Sequence, residues 1–117
     1  MTRPPAPAEI GYLTRVIGEA AALLLIETRG GTRLYVPSVP NPASALVLDI
    51  GPVAALALAL EYGGETFKVP LCKFWRMRVY KAEGCSYAVI ARRLGTTETT
   101  IQRWLAPPAS RQMALEF

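Results

Sequence analysis

Five side chains close together in the chain, Thr97, Glu98, Thr99, Gln102 and Arg103, carry the chemistry needed to read base-pair edges. An arginine can bond guanine through two N–H groups, a glutamine can do the same to adenine, and threonine methyls can meet the methyl of thymine. Just upstream, Ser86, Tyr87, Arg92 and Arg93 suit phosphate oxygens, which position a protein without specifying sequence. All nine lie in SYAVIARRLGTTETTIQRWL, residues 86–105. Nothing in the composition offers a competing chemistry. The chain has 117 residues, no histidine and two cysteines, Cys72 and Cys85. That removes histidine-dependent triads, histidine metal ligands and a four-ligand zinc site. No catalytic residue, metal or cofactor is expected, and the chain is not read as an enzyme. The two cysteines are expected as reduced thiols.

The elements that must hold these side chains can be read from the surrounding sequence. The β-branched run TTETT, residues 96–100, is a poor helix interior but a good helix entrance, where a hydroxyl can cap an orphan N–H. A helix is therefore expected over Glu98–Leu105, capped by Thr96 or Thr97, with Glu98 favourable in its first turn. A preceding helix should run from Tyr87 to Leu94, capped by Ser86 and stopped by Gly95. A third, before Gly84, should occupy Leu71–Glu83, with Phe74, Met77, Val79 and Tyr80 on its apolar faces and Lys73, Arg76, Arg78 and Lys81 on the rest. Ala91 is small enough to let the last two helices cross closely, and Ile90, Leu94, Ile101 and Trp104 supply core contacts. This is the pattern of a helix-turn-helix, whose second helix enters the major groove. The charge agrees. The net charge is +4, yet by count residues 71–105 carry +5 and residues 1–70 carry −1. A short basic segment is the electrostatic footprint of phosphate binding, although a solvated face of a plain three-helix bundle has the same composition.

The first seventy residues are organised differently. IGEAAALLLIETRGGTRLYVP, residues 17–37, aligns without gaps on IGPVAALALALEYGGETFKVP, residues 50–70, at an offset of 33 with ten of 21 positions identical. Two copies are too few for a solenoid, so the block reads as a duplicated helix–Gly-Gly–strand unit. Glu19–Thr28 and Pro52–Glu61 are rich in Ala and Leu and should be helical. Gly30-Gly31 and Gly63-Gly64 follow, where a glycine can close a helix. The alternating segments after them should be strands, with Leu34, Val36, Phe67 and Val69 on one side and Arg33, Tyr35, Thr66 and Lys68 on the other. The linker 38–44 reads as a loop leading into a short helical turn, and the proline-rich head 1–8 as loose. Both helices are apolar almost all round and cannot cover each other fully, so a homodimer about a two-fold axis is expected. No apolar run approaches the roughly 20 residues of a membrane span and no signal-peptide core is present. The expected setting is cytoplasmic, away from the membrane.

Two features, GGTRLYVP and the downstream SYAVIARRLGTTETTIQRWL, resemble the Mor transcription activator family of Mu-like phages and prophages. The likeness covers most of residues 10–105. It implies a homodimer with an intertwined N-terminal half and C-terminal halves that bind neighbouring major grooves. It further implies that outward strand residues approach the DNA between those grooves: by motif match Arg33 and Tyr35 in the first copy, Thr66 and Lys68 in the second. The second copy carries Lys68 where the motif has tyrosine, and the acidic tract common at the family's N-terminus is missing.

The fold expected is mainly α with short β. Residues 1–70 form a dimerisation domain built on the repeats, 71–105 a three-helix helix-turn-helix domain that binds double-stranded DNA, and 106–117 a tail. The function expected is a phage-type transcriptional regulator acting on a dyad-symmetric promoter site. An activator must also touch RNA polymerase, a further expected partner, although the tail has nothing that marks that contact. The alternatives are a DNA-binding accessory factor in recombination or packaging, and a module that sequesters a protein partner on the same fold.

Overall fold

The computed structural model describes residues 4–106; residues 107–117, and with them nearly all of the tail, lie outside it, as do the first three residues. The architecture is mainly helical with a short two-stranded antiparallel sheet. In chain order the elements are α1 Gly11–Arg29, β1 Arg33–Tyr35, α2 Ala45–Ile50, α3 Pro52–Tyr62, β2 Thr66–Lys68, α4 Lys73–Ala82, α5 Tyr87–Leu94 and α6 Glu98–Leu105. A single 3-10 turn at Ala8–Ile10 precedes α1. The chain divides into two compact units, Ala6–Cys72 and the remainder. No described helix is long and apolar enough to cross a membrane.

The first unit is built on an internal two-fold relation that reaches further than the sequence repeat. α1 begins at Gly11 and breaks at Gly18, whose φ of 82° and ψ of 165° are non-helical. Gly51, the repeat equivalent of Gly18, has φ 89° and ψ 161° and separates α2 from α3 in the same way. Each copy is therefore a short helix, a glycine break, a long helix, a Gly-Gly turn and a strand. The six residues before Ile17 escape the sequence alignment because among them only Leu13 matches its equivalent, Leu46. Leu13 and Leu46 are the positions that matter to the core, and both are buried.

The two strands pair with each other inside one chain: Arg33 opposite Lys68, Leu34 opposite Phe67, Tyr35 opposite Thr66. The bonds at the ribbon's ends repeat with the same symmetry. Gly31 N donates to Val69 O and Gly64 N to Val36 O, each at 2.7 Å. The helix ends are bridged in equivalent places by different chemistry. Arg29, closing α1, donates to Asp49 of α2 at 2.8 Å; Tyr62, its repeat equivalent closing α3, donates to the carbonyl of Tyr12 at 3.3 Å. Tyr12, Tyr62 and Phe67 pack edge-to-face with centroids 5.6–6.1 Å apart. Burial there pushes the Tyr12 phenol above its ordinary pKa, with Tyr62, Cys72 and Glu9 adding smaller contributions in the same direction.

The Gly-Gly turns differ from the left-handed helix cap expected. Gly30 has φ −52° and ψ 135°, Gly31 φ 83°, and Thr32 N donates to Arg29 O at 3.0 Å. This is a type II β-turn, repeated at Gly63-Gly64, where Glu65 N donates to Tyr62 O at 3.0 Å. The second glycine supplies the positive φ. The first is needed for space: a Cβ on Gly30 or Gly63 would stand 2.5 Å from the carbonyl oxygen four residues earlier.

The second unit packs α4, α5 and α6. Trp75, Met77, Val79 and Tyr80 of α4 are buried, with Ile90, Ala91 and Leu94 of α5 and Ile101 of α6. Burying an aliphatic side chain of this size is worth about 1.5–3 kcal/mol, so Ile90, Leu94 and Ile101 hold the α5–α6 corner. Gly95 takes the left-handed conformation that ends α5. Two expectations on α4 need correction. Phe74 is 49% exposed, and its neighbour Trp75 is buried instead. Arg76 is not part of the basic face; it is 7% exposed. Its Nε donates to Tyr80 Oη at 3.2 Å and its Nη2 to Arg93 O at 3.3 Å. A guanidinium's donors can be satisfied this way at the carbonyl-rich end of a helix. In the described part of the head, the carbonyl of Pro4 accepts from Trp75 Nε1 at 3.4 Å.

Candidate nucleic-acid interface

α6 exists because Thr97 starts it. Thr97 sits in extended backbone and its Oγ1 accepts from Thr100 N at 3.2 Å, satisfying one donor that the helix itself cannot. The same hydroxyl lies 3.1 Å from that of Thr100. From this start Ile101 points into the core and Trp104 and Leu105 are half-buried, while Glu98, Thr99, Gln102 and Arg103 are all exposed. One face of a two-turn helix is thus committed to packing. The other presents a carboxylate, a threonine hydroxyl and methyl, an amide and a guanidinium, an inventory that can donate to and accept from base edges.

α5 begins in the same manner, with Ser86 Oγ accepting from Val89 N at 3.2 Å. Arg92 and Arg93, in its last turn, are exposed. Arg93 also lies over the Tyr80 ring, 4.9 Å from the centroid, which restrains its stem while its charge remains near solvent. Tyr87 is half-buried beneath Lys81, whose Nζ is 5.3 Å from the ring centroid. Lys81 is exposed and adds a cation beside Tyr87. The sequence shows it only as one of the charges of α4; its packing across the Gly84 turn depends on the α4–α5 crossing, which local spacing does not encode.

Ser86, Tyr87, Arg92, Arg93, Thr97, Glu98, Thr99, Gln102 and Arg103 all belong to one unit. Arg33, Tyr35, Thr66 and Lys68 belong to the other, where strand register gathers them on the exposed face of the ribbon. There Arg33 stands across from Lys68 and Tyr35, 58% exposed, across from Thr66. Leu34, Val36 and Val69 are buried and Phe67 half-buried, so the expected alternation is observed.

The two capping hydroxyls have a structural duty that can be measured. Thr97→Ala should destabilise the chain by about 0.5–2 kcal/mol, read as a lower urea midpoint. Thr99→Ala removes an exposed side chain that caps nothing and should leave the midpoint nearly unchanged.

Among the described residues no group of three or more Cys, Asp or Glu could hold a metal ion, and neither Cys72 nor Cys85 is in a disulfide; the Cys72 thiol donates to Glu9 Oε1 at 3.5 Å. No family model matches the chain, and neither the curated proteins nor the solved structures contain a match to it.

Proposed function

We propose that this chain is a sequence-specific DNA-binding transcriptional regulator of the phage or prophage type. In this reading α5 and α6 form a helix-turn-helix, α6 enters the major groove, and two copies act together on a dyad-symmetric promoter site. The observation that carries it is the division of α6: Ile101 anchored in the core, and Thr99, Gln102 and Arg103 left exposed, as are Arg92 and Arg93 of α5. Thr97 and Ser86 contribute mainly by starting the helices, whose N–H groups and first-turn side chains then meet bases and phosphates. The exposed ribbon residues Arg33, Tyr35, Thr66 and Lys68 are proposed as a second, auxiliary DNA contact, in keeping with the Mor-family resemblance. Contact with RNA polymerase belongs to the same proposal.

Salt dependence tests the reading at low cost. Each neutralised phosphate contributes a slope of about −0.9 to log K against log salt. With Lys81, Arg92 and Arg93 engaged in two copies, affinity for duplex DNA should fall on the order of a thousandfold between roughly 50 and 200 mM salt. Fluorescence anisotropy with a labelled duplex reads this directly. Affinity that is absent at low salt, or indifferent to salt, would exclude duplex DNA as the ligand.

A further inference from the structure

We propose that α3 carries the surface through which two copies of this chain associate, its Val53–Leu56–Leu60 stripe packing antiparallel on the same stripe of a second copy. The inference rests on the homodimer reading above and names its surface, from observations that do not involve DNA.

Val53, Leu56 and Leu60 are 83%, 53% and 80% exposed. Their spacing of three and four residues sets them on one side of the helix. The opposite side is already occupied: Ala55, Leu58 and Ala59 are buried, and α3 packs on α1. α3 is therefore apolar on two faces, of which the fold covers one.

The internal repeat serves as a control for what the fold requires. Val53, Leu56 and Leu60 correspond to Ala20, Leu23 and Glu27 in the first copy. Ala20 and Glu27 are exposed there, and Leu23 is buried at 8% exposure. The same backbone unit is thus built with a small residue and a carboxylate where the second copy places valine and leucine. Folding of the unit gives no reason for the two aliphatic side chains, and an exposed apolar stripe of this kind marks an interaction surface.

The chemistry of the stripe selects its occupant. No residue from Pro52 to Leu60 carries a charge, so a charged partner would find nothing there to pair with. A second copy would. In an antiparallel crossing centred on Leu56, Val53 of each chain meets the partner's Leu60, and every contact occurs twice, as a two-fold interface demands. Beside the stripe runs an apolar groove lined by Val16, Ile17, Ile50, Val53, Ala54 and Ala57, able to receive the leucine that projects from the opposing helix. Pairing by strand addition is not available to the ribbon's inner edges, because β1 and β2 are already bonded to each other.

Sedimentation velocity of the full chain without DNA tests the proposal. The wild type should be dimeric at micromolar concentration. The double variant Val53→Ala/Leu60→Glu transplants the first copy's own residues and should raise the dimer dissociation constant at least about tenfold, with an unchanged far-ultraviolet circular dichroism spectrum and a urea midpoint lowered only by the share that dimerisation contributes. Leu60→Glu alone, the milder change, should shift the equilibrium the same way and guards against a folding defect in the double variant. A wild type that stays monomeric overturns the proposal, whatever else covers the stripe, and so does a folded double variant that dimerises as tightly as wild type. DNA binding is scored separately. A double variant that loses the dyad site but keeps a half-site upholds both readings, whereas a wild-type dimer with no affinity for duplex leaves the α3 interface standing and removes the regulator.

Discussion

Replacing both Gln102 and Arg103 by alanine should abolish sequence preference while leaving a folded protein that still binds duplex weakly. Each well-placed bidentate contact is worth about 1–3 kcal/mol of discrimination, so the pair should cost roughly 2–6 kcal/mol between preferred and scrambled sites if they read different base pairs. Both side chains are exposed and neither contributes to the core, so the melting behaviour should stay close to wild type. Arg103→Ala alone should relax preference at one base pair, and competition binding against single-base variants of the site identifies which. By contrast, Arg92→Ala and Arg93→Ala should weaken binding to all sequences alike and lower the salt slope by about 2 each, one contact being lost in each of the two bound copies. A double variant with full discrimination would remove α6 from the recognition surface.

The largest effect on folding should come from the Gly-Gly turns, and the two copies should not respond equally. At both Gly30 and Gly63 an added Cβ would stand 2.5 Å from a backbone carbonyl oxygen. At Gly30 the next neighbours, the end of the Leu71 side chain and the carbonyl oxygen of Pro70, both stand back at 3.3 Å, and the first of them can move. At Gly63 it is the Cα of Ser38 at 3.0 Å, backbone of a different segment. Overpacking of this sort costs about 1–3 kcal/mol, and Gly63→Ala should sit at or above the top of that range while Gly30→Ala sits lower. Gly31→Ala and Gly64→Ala act differently, by forcing alanine to positive φ at about 1–2 kcal/mol each. Urea midpoints of the four variants give the order directly.

These glycines also show where sequence reasoning succeeded and where it stopped. That helices end at residues 30 and 63 was legible from composition alone. That the ends are type II turns was not, because a left-handed cap also wants glycine, and only the close approach of Ile26 O and Ala59 O distinguishes the first glycine's role from the second's. The helix before Gly18 was hidden for a related reason: Gly11 and Gly18 bracket a stretch with β-branched Thr14, Val16 and Ile17, and its helicity depends on packing that propensity does not see. At the candidate interface, the outward set of α6 was legible because Ile90, Ala91, Leu94, Gly95 and Ile101 fix the rotation of both helices. The burial of Arg76 was not, because arginine on a helix reads as surface until a carbonyl from the next helix is known to reach it. The pairing of β1 with β2 within one chain was not legible either. The alternating side chains determine which face is buried, but not which strand is the partner.

The central claim is that the outward face of α6 reads the sequence of duplex DNA. Incubating purified full-length protein with a random duplex library and sequencing what it retains tests that claim most directly. One strongly enriched motif with two inverted half-sites, centred on positions an integral number of helical turns apart, is expected. Retained duplexes indistinguishable in sequence from the input library would contradict it.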